Sequence, residues 1–375
     1  MATYLAMKKK ILHVLWSGGI GGAEEYVTSL IGYFDANKYQ VSVCFVSKKG
    51  DIFVEGEKCN KNYSFIGMKN GWDLCGALGC YLFLKKNKFD LIHVHSGNFL
   101  INVLILRLKN TKVIFHEHMS PGADKNPKKR KLFYLLFRKR FNKIIAISEF
   151  VKRQLITDFG VDSSQIEVIH NGIDLNKFTC DNKPVPEISS LSEGRPIIGF
   201  IARLEAFKRP ELFIRTAESI VKRKKGFCFM MVGDGPEMQR CKELVANLKL
   251  DRHVHLIGFR RNISDTLKLF NALLFTSEGE GFGIVILEAM AMGVPVFAID
   301  DGAMREIIKN NVNGFLIDRD SSPEKISICV LETMEDVSLI ERVGQRAKEE
   351  VKSNYSIEKC ASKISRIYEN ALKGL

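Results

Sequence analysis

The residues best suited to chemistry fall in one run, Thr276-Ser-Glu278-Gly-Glu280-Gly-Phe-Gly-Ile-Val-Ile-Leu-Glu288-Ala-Met-Ala-Met-Gly293-Val-Pro295. A strand pattern ends at its glycine-rich loop, and a helical pattern begins near Ile284. The first N–H groups of a helix lack intrahelical partners and sit at the positive end of its dipole. Those around Gly281–Val285 would therefore point at an anion. Glu280 in the loop and Glu288 one to two turns into the helix could accept hydroxyl hydrogens. Glu288 lies in an otherwise apolar run, so its carboxylate needs partners. Carboxylates beside an anion-binding helix start suit a ligand that carries both phosphate and polyol.

Four further segments could add to that chemistry. Arg203-Leu-Glu-Ala-Phe-Lys208 follows a strand pattern; a guanidinium fork and an ammonium there could neutralise a diphosphate, or form a solvated loop. Ser17-Gly-Gly-Ile-Gly-Gly-Ala-Glu24 follows the first strand pattern and opens a helix, which favours close approach by a phosphate. It is not a dinucleotide fingerprint, because aligning Gly19-x-Gly21 puts Glu24 where a third glycine belongs. His93-Val-His95 and His116-Glu-His118 each end a strand pattern, and a period of two sets both histidines of a pair on one face. Four imidazoles could ligate zinc, or could offer hydrogen bonds or a base to a sugar. No carboxylate or cysteine lies at a matching short spacing, so no metal cofactor is expected.

These residues need a scaffold of strand ends. Twelve short, nearly continuous apolar runs alternate with helical patterns: 11–15, 40–46, 91–94, 113–116, 143–147, 166–169, 197–202, 227–232, 254–257, 272–275, 294–298 and 314–317. That is the pattern of parallel strands buried on both faces, in doubly wound α/β sheets. Residues 181–195 hold two prolines, with a third at Pro196, and no helical period, which predicts a linker. The expected layout is residues 1–180, a linker at 181–195, and a second domain at 196–355. An amphipathic helix over 356–375 would return to the first domain. Two Rossmann-like halves would bind ligands at the carboxyl ends of their strands.

Composition narrows the class. The 375 residues are 46% apolar and 26% charged, which excludes wholesale disorder. No stretch approaches 18 apolar residues, and no signal peptide is expected at the amino terminus, where a short apolar run holding His13 feeds a glycine loop. Nine cysteines at irregular spacing, with no C-x-x-C, predict a reduced, cytoplasmic protein. The net charge is +13, and residues 1–190 hold 28 basic against 17 acidic side chains, so the excess lies in the first half. Such a field favours an anionic partner. Its densest part is residues 125–143, KNPKKRKLFYLLFRKRFNK. A basic helix with leucine and aromatic residues suits an anionic membrane surface, and the competing reading packs it under the first sheet.

In order along the chain, these features resemble the retaining glycosyltransferases of family 4, which have the two-domain GT-B fold. The resemblance runs from Ile11 to about Tyr368. It is carried by the glycine loop with Glu24, Ile92-His-Val-His95, Phe115-His116, Ala146-Ile-Ser148-Glu149, Val168-Ile-His-Asn171-Gly172-Ile-Asp174, Arg203 with Lys208, Val232-Gly-Asp-Gly-Pro236, Asn313-Gly314, and above all Glu280 and Glu288 with seven residues between them. It implies a carboxyl-terminal domain for a UDP- or GDP-linked sugar and an amino-terminal domain for a saccharide or lipid-linked acceptor. Arg203 and Lys208 would neutralise the diphosphate. Glu280 would hold the donor sugar, supported by the backbone at Phe282, Gly283 and Ile284. Glu288 would bind the ribose, and Gly22 would let the first loop approach the donor phosphate. His116 would contact donor sugar or acceptor, with His95 and Glu24 as further contacts. Transfer would retain anomeric configuration without a metal ion. Ala202 stands where many members have glycine, and Asp301-Gly302-Ala303 where a Gly-Gly pair is common.

Two rivals remain at this level. A nucleotide-sugar epimerase of similar architecture is disfavoured by the Glu280–Glu288 pair. A nucleic-acid-binding protein is suggested by +13 but lacks any zinc-finger, RNP or helix-turn-helix signature, so no nucleic-acid partner is expected.

Overall fold

The structure is a computed structural model that describes residues 8–19, 21–59, 61–95, 98–118, 127–179 and 186–373. The chain divides into two compact units, Met1–Gly172 with Ile357–Leu375, and Ile173–Ser356.

In unit 1, seven strands form one parallel sheet: β1 (Lys9–Ser17), β2 (Tyr39–Lys48), β3 (Tyr63–Phe65), β4 (Leu91–Val94), β5 (Lys112–Glu117), β6 (Lys143–Ala146) and β7 (Ile166–Val168). Their order is β3-β2-β1-β4-β5-β6-β7. The connecting helices are α1 (Gly22–Leu30), α2 (Gly50–Lys58), α3 (Leu74–Asn87), α4 (Phe99–Ile105), α5 (Pro127–Phe137) and α6 (Glu149–Phe159).

Unit 2 repeats the plan with β8 (Ile197–Ile201), β9 (Cys228–Val232), β10 (Val254–Gly258), β11 (Ala272–Phe275), β12 (Val296–Ile299) and β13 (Phe315–Ile317), ordered β10-β9-β8-β11-β12-β13. Its helices are α7 (Pro186–Ser192), α8 (Pro210–Arg223), α9 (Met238–Asn247), α10 (Ile263–Leu267), α11 (Ile284–Met292), α12 (Met304–Ile307), α13 (Pro323–Glu335) and α14 (Val337–Asn354). Helix α15 (Ile357–Lys373) then joins unit 1, burying Cys360, Ile364, Ile367 and Tyr368 along one stripe.

Both sheets step outward from the first strand and then reverse, at β1/β4 in unit 1 and at β8/β11 in unit 2. Ligands of open α/β sheets bind outside the carboxyl ends of the strands at such a reversal. The strands are buried on both faces: every residue of β4, β8, β9, β11 and β12 is buried. All twelve expected strands are present, with ends displaced by no more than two residues.

Two expectations need correction. Residues 186–192 of the expected linker form α7, which begins with proline, a residue pre-set for the first helical turn, and buries Ile188. Residues 181–185 lie outside the described residues. The division between units falls at Gly172/Ile173 instead. The third strand of the sheet, β3, has only three half-buried residues, too few to show a period.

Candidate functional site

In unit 2 the segments after β8 and β11 meet at the sheet's reversal. The turn Ala206–Lys208 presents Lys208, whose Nζ is paired with the Glu280 carboxylate. Both side chains are only 16% exposed, which shields the pair from water. The ammonium also lies over the rings of Phe207 (5.0 Å) and Phe275 (5.6 Å). Backbone and hydroxyl bonds fix this arrangement. The Thr276 hydroxyl is shared between the carbonyls of Lys208 (2.8 Å) and Arg209 (3.0 Å). The Glu278 N–H donates to the Phe207 carbonyl (2.7 Å). Arg209 is thereby held at φ 49°, a conformation that non-glycine residues rarely adopt.

A second loop clamps Glu280 from the other side. The Ala303 N–H donates to the Glu280 carbonyl (3.0 Å), and the Asp301 carboxylate accepts from the Gly279 N–H (2.6 Å). Gly302, at φ 64°, permits the approach: a Cβ there would lie 2.4 Å from the Glu280 carbonyl oxygen. The substitution of Ala303 for a second glycine therefore leaves the backbone hold on Glu280 in place.

Helix α11 starts just beyond. Its N-cap is Gly283 (φ 84°), which brings no side-chain acceptor to the first turn. Phe282 is fully buried and tilted against Tyr355 (6.1 Å), so its ring anchors the loop while its backbone stays at the helix start. Ile284 is the first helical residue, and Glu288, one turn on, is half-buried. Arg203 stands apart: its side chain is 73% exposed and its Nε lies 3.3 Å from Glu205. The structure thus joins Lys208, Glu280 and the α11 start, and leaves Arg203 in solvent.

In unit 1 the loop after β1 is locked to the β2–α2 turn. The Gly18 N–H donates to the Lys48 carbonyl (2.8 Å), and a Cβ on Gly18 would fall 1.7 Å from the Lys49 carbonyl oxygen. Gly22 opens α1 and is exposed, and its N-cap, Gly21, offers no side-chain cap. Glu24, in the first turn, is half-buried, and burial raises its pKa.

The histidines form a cluster larger than the two H-x-H steps. His13 of β1 joins His93, His95, His116 and His118, with His13 Nδ1 2.9 Å from His95 Nε2 and His95 Nδ1 2.8 Å from His118 Nε2. Tyr368 of α15 bridges His93 Nδ1 (2.6 Å) and His13 Nε2 (3.2 Å). Burial holds all five imidazoles below their ordinary pKa, His13 at about 3 and His118 at about 4. His116 is 1% exposed and stacked between His93 and His118, so its ring is covered from solvent in this conformation. His95 and His118 are the partly exposed pair at the strand ends. Sequence reasoning missed His13 and Tyr368. The signal for His13 was a lone histidine in an apolar strand run, in register with His93.

Helix α5 has two faces. Phe133 and Tyr134 are buried, and the Tyr134 hydroxyl donates to Glu117 (2.6 Å), which also pairs with Arg130. Leu132, Leu135 and Leu136 are exposed, as are Lys128, Lys131, Lys139 and Arg140. The part of the basic run before Pro127 lies outside the described residues. Among the described residues no helix is long and apolar enough to cross a membrane.

Residues 20–177 match the family model described as Glycosyltransferase Family 4, and residues 181–350 match that described as Glycosyl transferases group 1. Among curated proteins, the chain is 27% identical over 308 residues to an Escherichia coli UDP-Gal:alpha-D-GlcNAc-diphosphoundecaprenol alpha-1,3-galactosyltransferase, covering 79% of each. It is 29% identical to N-acetyl-alpha-D-glucosaminyl L-malate synthase of Bacillus anthracis, over 56% of this chain and 55% of that one. Among solved structures, Anabaena HepE in complex with UDP and glucose superimposes with a TM-score of 0.82 at 21% identity, over 96% of this chain and 99% of that one.

Proposed function

The chain belongs to the family-4 glycosyltransferases and has the GT-B fold, and from that premise we propose that it is a retaining enzyme using a UDP- or GDP-linked sugar. The acceptor is a saccharide or lipid-linked saccharide, in the synthesis of a cell-surface polysaccharide or glycolipid at the cytoplasmic face of the membrane. The observation that carries this reading is the Lys208–Glu280 pair, locked beside the α11 start at the reversal of the unit 2 sheet.

The pair divides one ligand between two charges. Lys208 meets the diphosphate as negative charge builds on it, with Arg203 swinging in from solvent as the second cation. Glu280 accepts from a hydroxyl of the donor sugar, the backbone at Phe282–Ile284 supports the adjacent phosphate, and Glu288 takes the ribose hydroxyls. In this proposal Gly22 and the α1 start are assigned to the donor phosphate, and Glu24 and His95 to acceptor or sugar. These cations and helix starts meet the diphosphate charge, so transfer needs no magnesium or manganese. The acceptor oxygen bonds to the anomeric carbon on the face the diphosphate leaves, and its proton passes to the departing phosphate oxygen. Both relatives that bear on this reading handle such ligands: the E. coli protein's name specifies a UDP sugar and a lipid-diphosphate acceptor, and the Anabaena protein holds UDP and glucose.

The exposed leucines and lysines of α5 fit the same reading, because a lipid-linked acceptor is met at an anionic surface.

The test is proton NMR of the first product formed from the preferred nucleotide sugar. An α-linked donor should give an α-linked product at early times. A β-linked first product would overturn retention, and an unchanged rate in a Glu280→Ala/Glu288→Ala variant would overturn the site.

A further inference from the structure

Apart from His95, the histidine cluster of unit 1 has no part in the proposed donor and acceptor contacts, and its geometry points to a metal. We infer that His95, His116 and His118 form a site for one divalent ion of the zinc type. Each of the three presents a ring nitrogen within 4.8 Å of the other two. The parallel register brings them there. Val94 pairs with Phe115, so the next residues, His95 and His116, fall side by side, and the strand period adds His118. Short spacing along the chain could not show this, which is why no metal was expected from it.

Hydrogen bonding within the protein does not account for the His116 ring. Both nitrogens of His116 are buried without a partner. An unpartnered buried polar atom is costly, and a metal ligand is one of the few roles that removes the cost. A second triad, His13–His93–His95, shares His95. A neutral imidazole offers one lone pair, so His95 serves one ion only. Binding through His95 Nδ1 is the better use. It leaves His95 Nε2–H to donate to His13 Nδ1 (2.9 Å), His13 Nε2–H to donate to the Tyr368 oxygen (3.2 Å), and the Tyr368 hydroxyl to donate to His93 Nδ1 (2.6 Å). That chain supplies the outer hydrogen bonds that orient a metal-bound histidine. Filling the other triad would leave His116 unsatisfied.

The donor set selects the ion. Imidazoles without carboxylate or thiolate suit zinc, copper or nickel and exclude magnesium and calcium. Zinc–nitrogen bonds of about 2.0–2.1 Å set tetrahedral ligand nitrogens about 3.3 Å apart, so the 2.8 Å pair His95 Nδ1–His118 Nε2 opens by about half an ångström. Three ligands leave a fourth position for water or an anionic oxygen. The Tyr26 ring, edge-on to His116 (6.1 Å) and His118 (5.8 Å), walls it. His95 and His118 are partly exposed and provide the way in.

The experiment uses the whole chain, freed of metal by chelator dialysis, then loaded with zinc chloride alone, desalted and measured by elemental analysis. Cobalt chloride replaces zinc in a parallel sample read by visible absorption. The expected result is about one zinc per chain, a zinc-dependent rise in melting temperature, and tetrahedral cobalt bands without thiolate charge transfer. His95→Gln should lose all three. His118→Gln, nearer the surface, serves as a second variant, and melting curves without metal check that both fold. A Cys59→Ser/Cys75→Ser variant, which removes two exposed thiols, should bind zinc as the parent does. Equal zinc in the parent and both histidine variants overturns the proposal, as does a cobalt–thiolate band or no zinc bound by the folded parent. None of these readouts depends on sugar transfer, so failure here leaves the proposed function standing.

Discussion

Lys208 and Glu280 neutralise each other in the folded chain, yet each is suited to a different part of one ligand. Holding them 16% exposed keeps both in a low-dielectric setting, where a cation aimed at a departing diphosphate acts most strongly. Lys208→Ala should lower donor turnover by on the order of 10²–10³ in kcat/KM, as the loss of one preorganised electrostatic contact does. Lys208→Arg should restore little, because a planar fork does not occupy the place of a point charge over two rings. Glu288→Ala should chiefly raise the donor KM, the mark of a contact made equally in ground and transition states. Steady-state kinetics separates the three; parental kcat/KM in Lys208→Ala would remove that residue from the site. The meeting of Lys208, Glu280 and the α11 start was legible from spacing around strand ends, and the solvent exposure of Arg203 was not. His13 and Tyr368 were not, because their partners lie far along the chain and only the register of β1 with β4, and the docking of α15, brings them in.

At the level of elements, α5 shows why apolar content alone could not assign a role. LFYLLF is apolar nearly all round, so its period favours neither the sheet nor a surface. The structure gives each reading a face: Phe133, Tyr134 and the Arg130–Glu117 pair turn inward, and Leu132, Leu135 and Leu136 turn outward among lysines. Arg130 therefore belongs to the fold and not to the exposed basic face. The chain should sediment with anionic vesicles and not with neutral ones, and salt should release it. A Lys128→Ser/Lys131→Ser/Lys139→Ser variant should lose that binding, as should Leu135→Ser/Leu136→Ser. Neither should change the melting temperature by more than surface substitutions usually do. Sedimentation equal to the parent in both variants would exclude α5 as the docking face. The α11 start was more legible, since a glycine loop between a strand and an apolar helix leaves little else for the chain to do.

At the scale of the molecule, two sheets of one strand order place both glycine loops, the cation turn and the histidines at carboxyl ends. Twelve strands could be read because parallel strands buried on both faces are nearly continuous apolar runs. The edge strand β3, helix α7 and the boundary at Gly172 could not, since three residues, a short proline-led helix of about two turns and a boundary unmarked by composition leave no period to detect. The central claim is that unit 2 holds a nucleoside diphosphate through Lys208 and the α11 start. It is tested most directly by melting curves of the whole chain against a panel of UDP, GDP, ADP and TDP, alone and as sugar conjugates. One base should raise the melting temperature, by about 2.7 kcal/mol of linkage at a hundredfold excess over Kd, and an Arg203→Ala/Lys208→Ala variant should lose that rise. No shift from any nucleotide at millimolar concentration, or a shift undiminished in the double variant, would contradict the account.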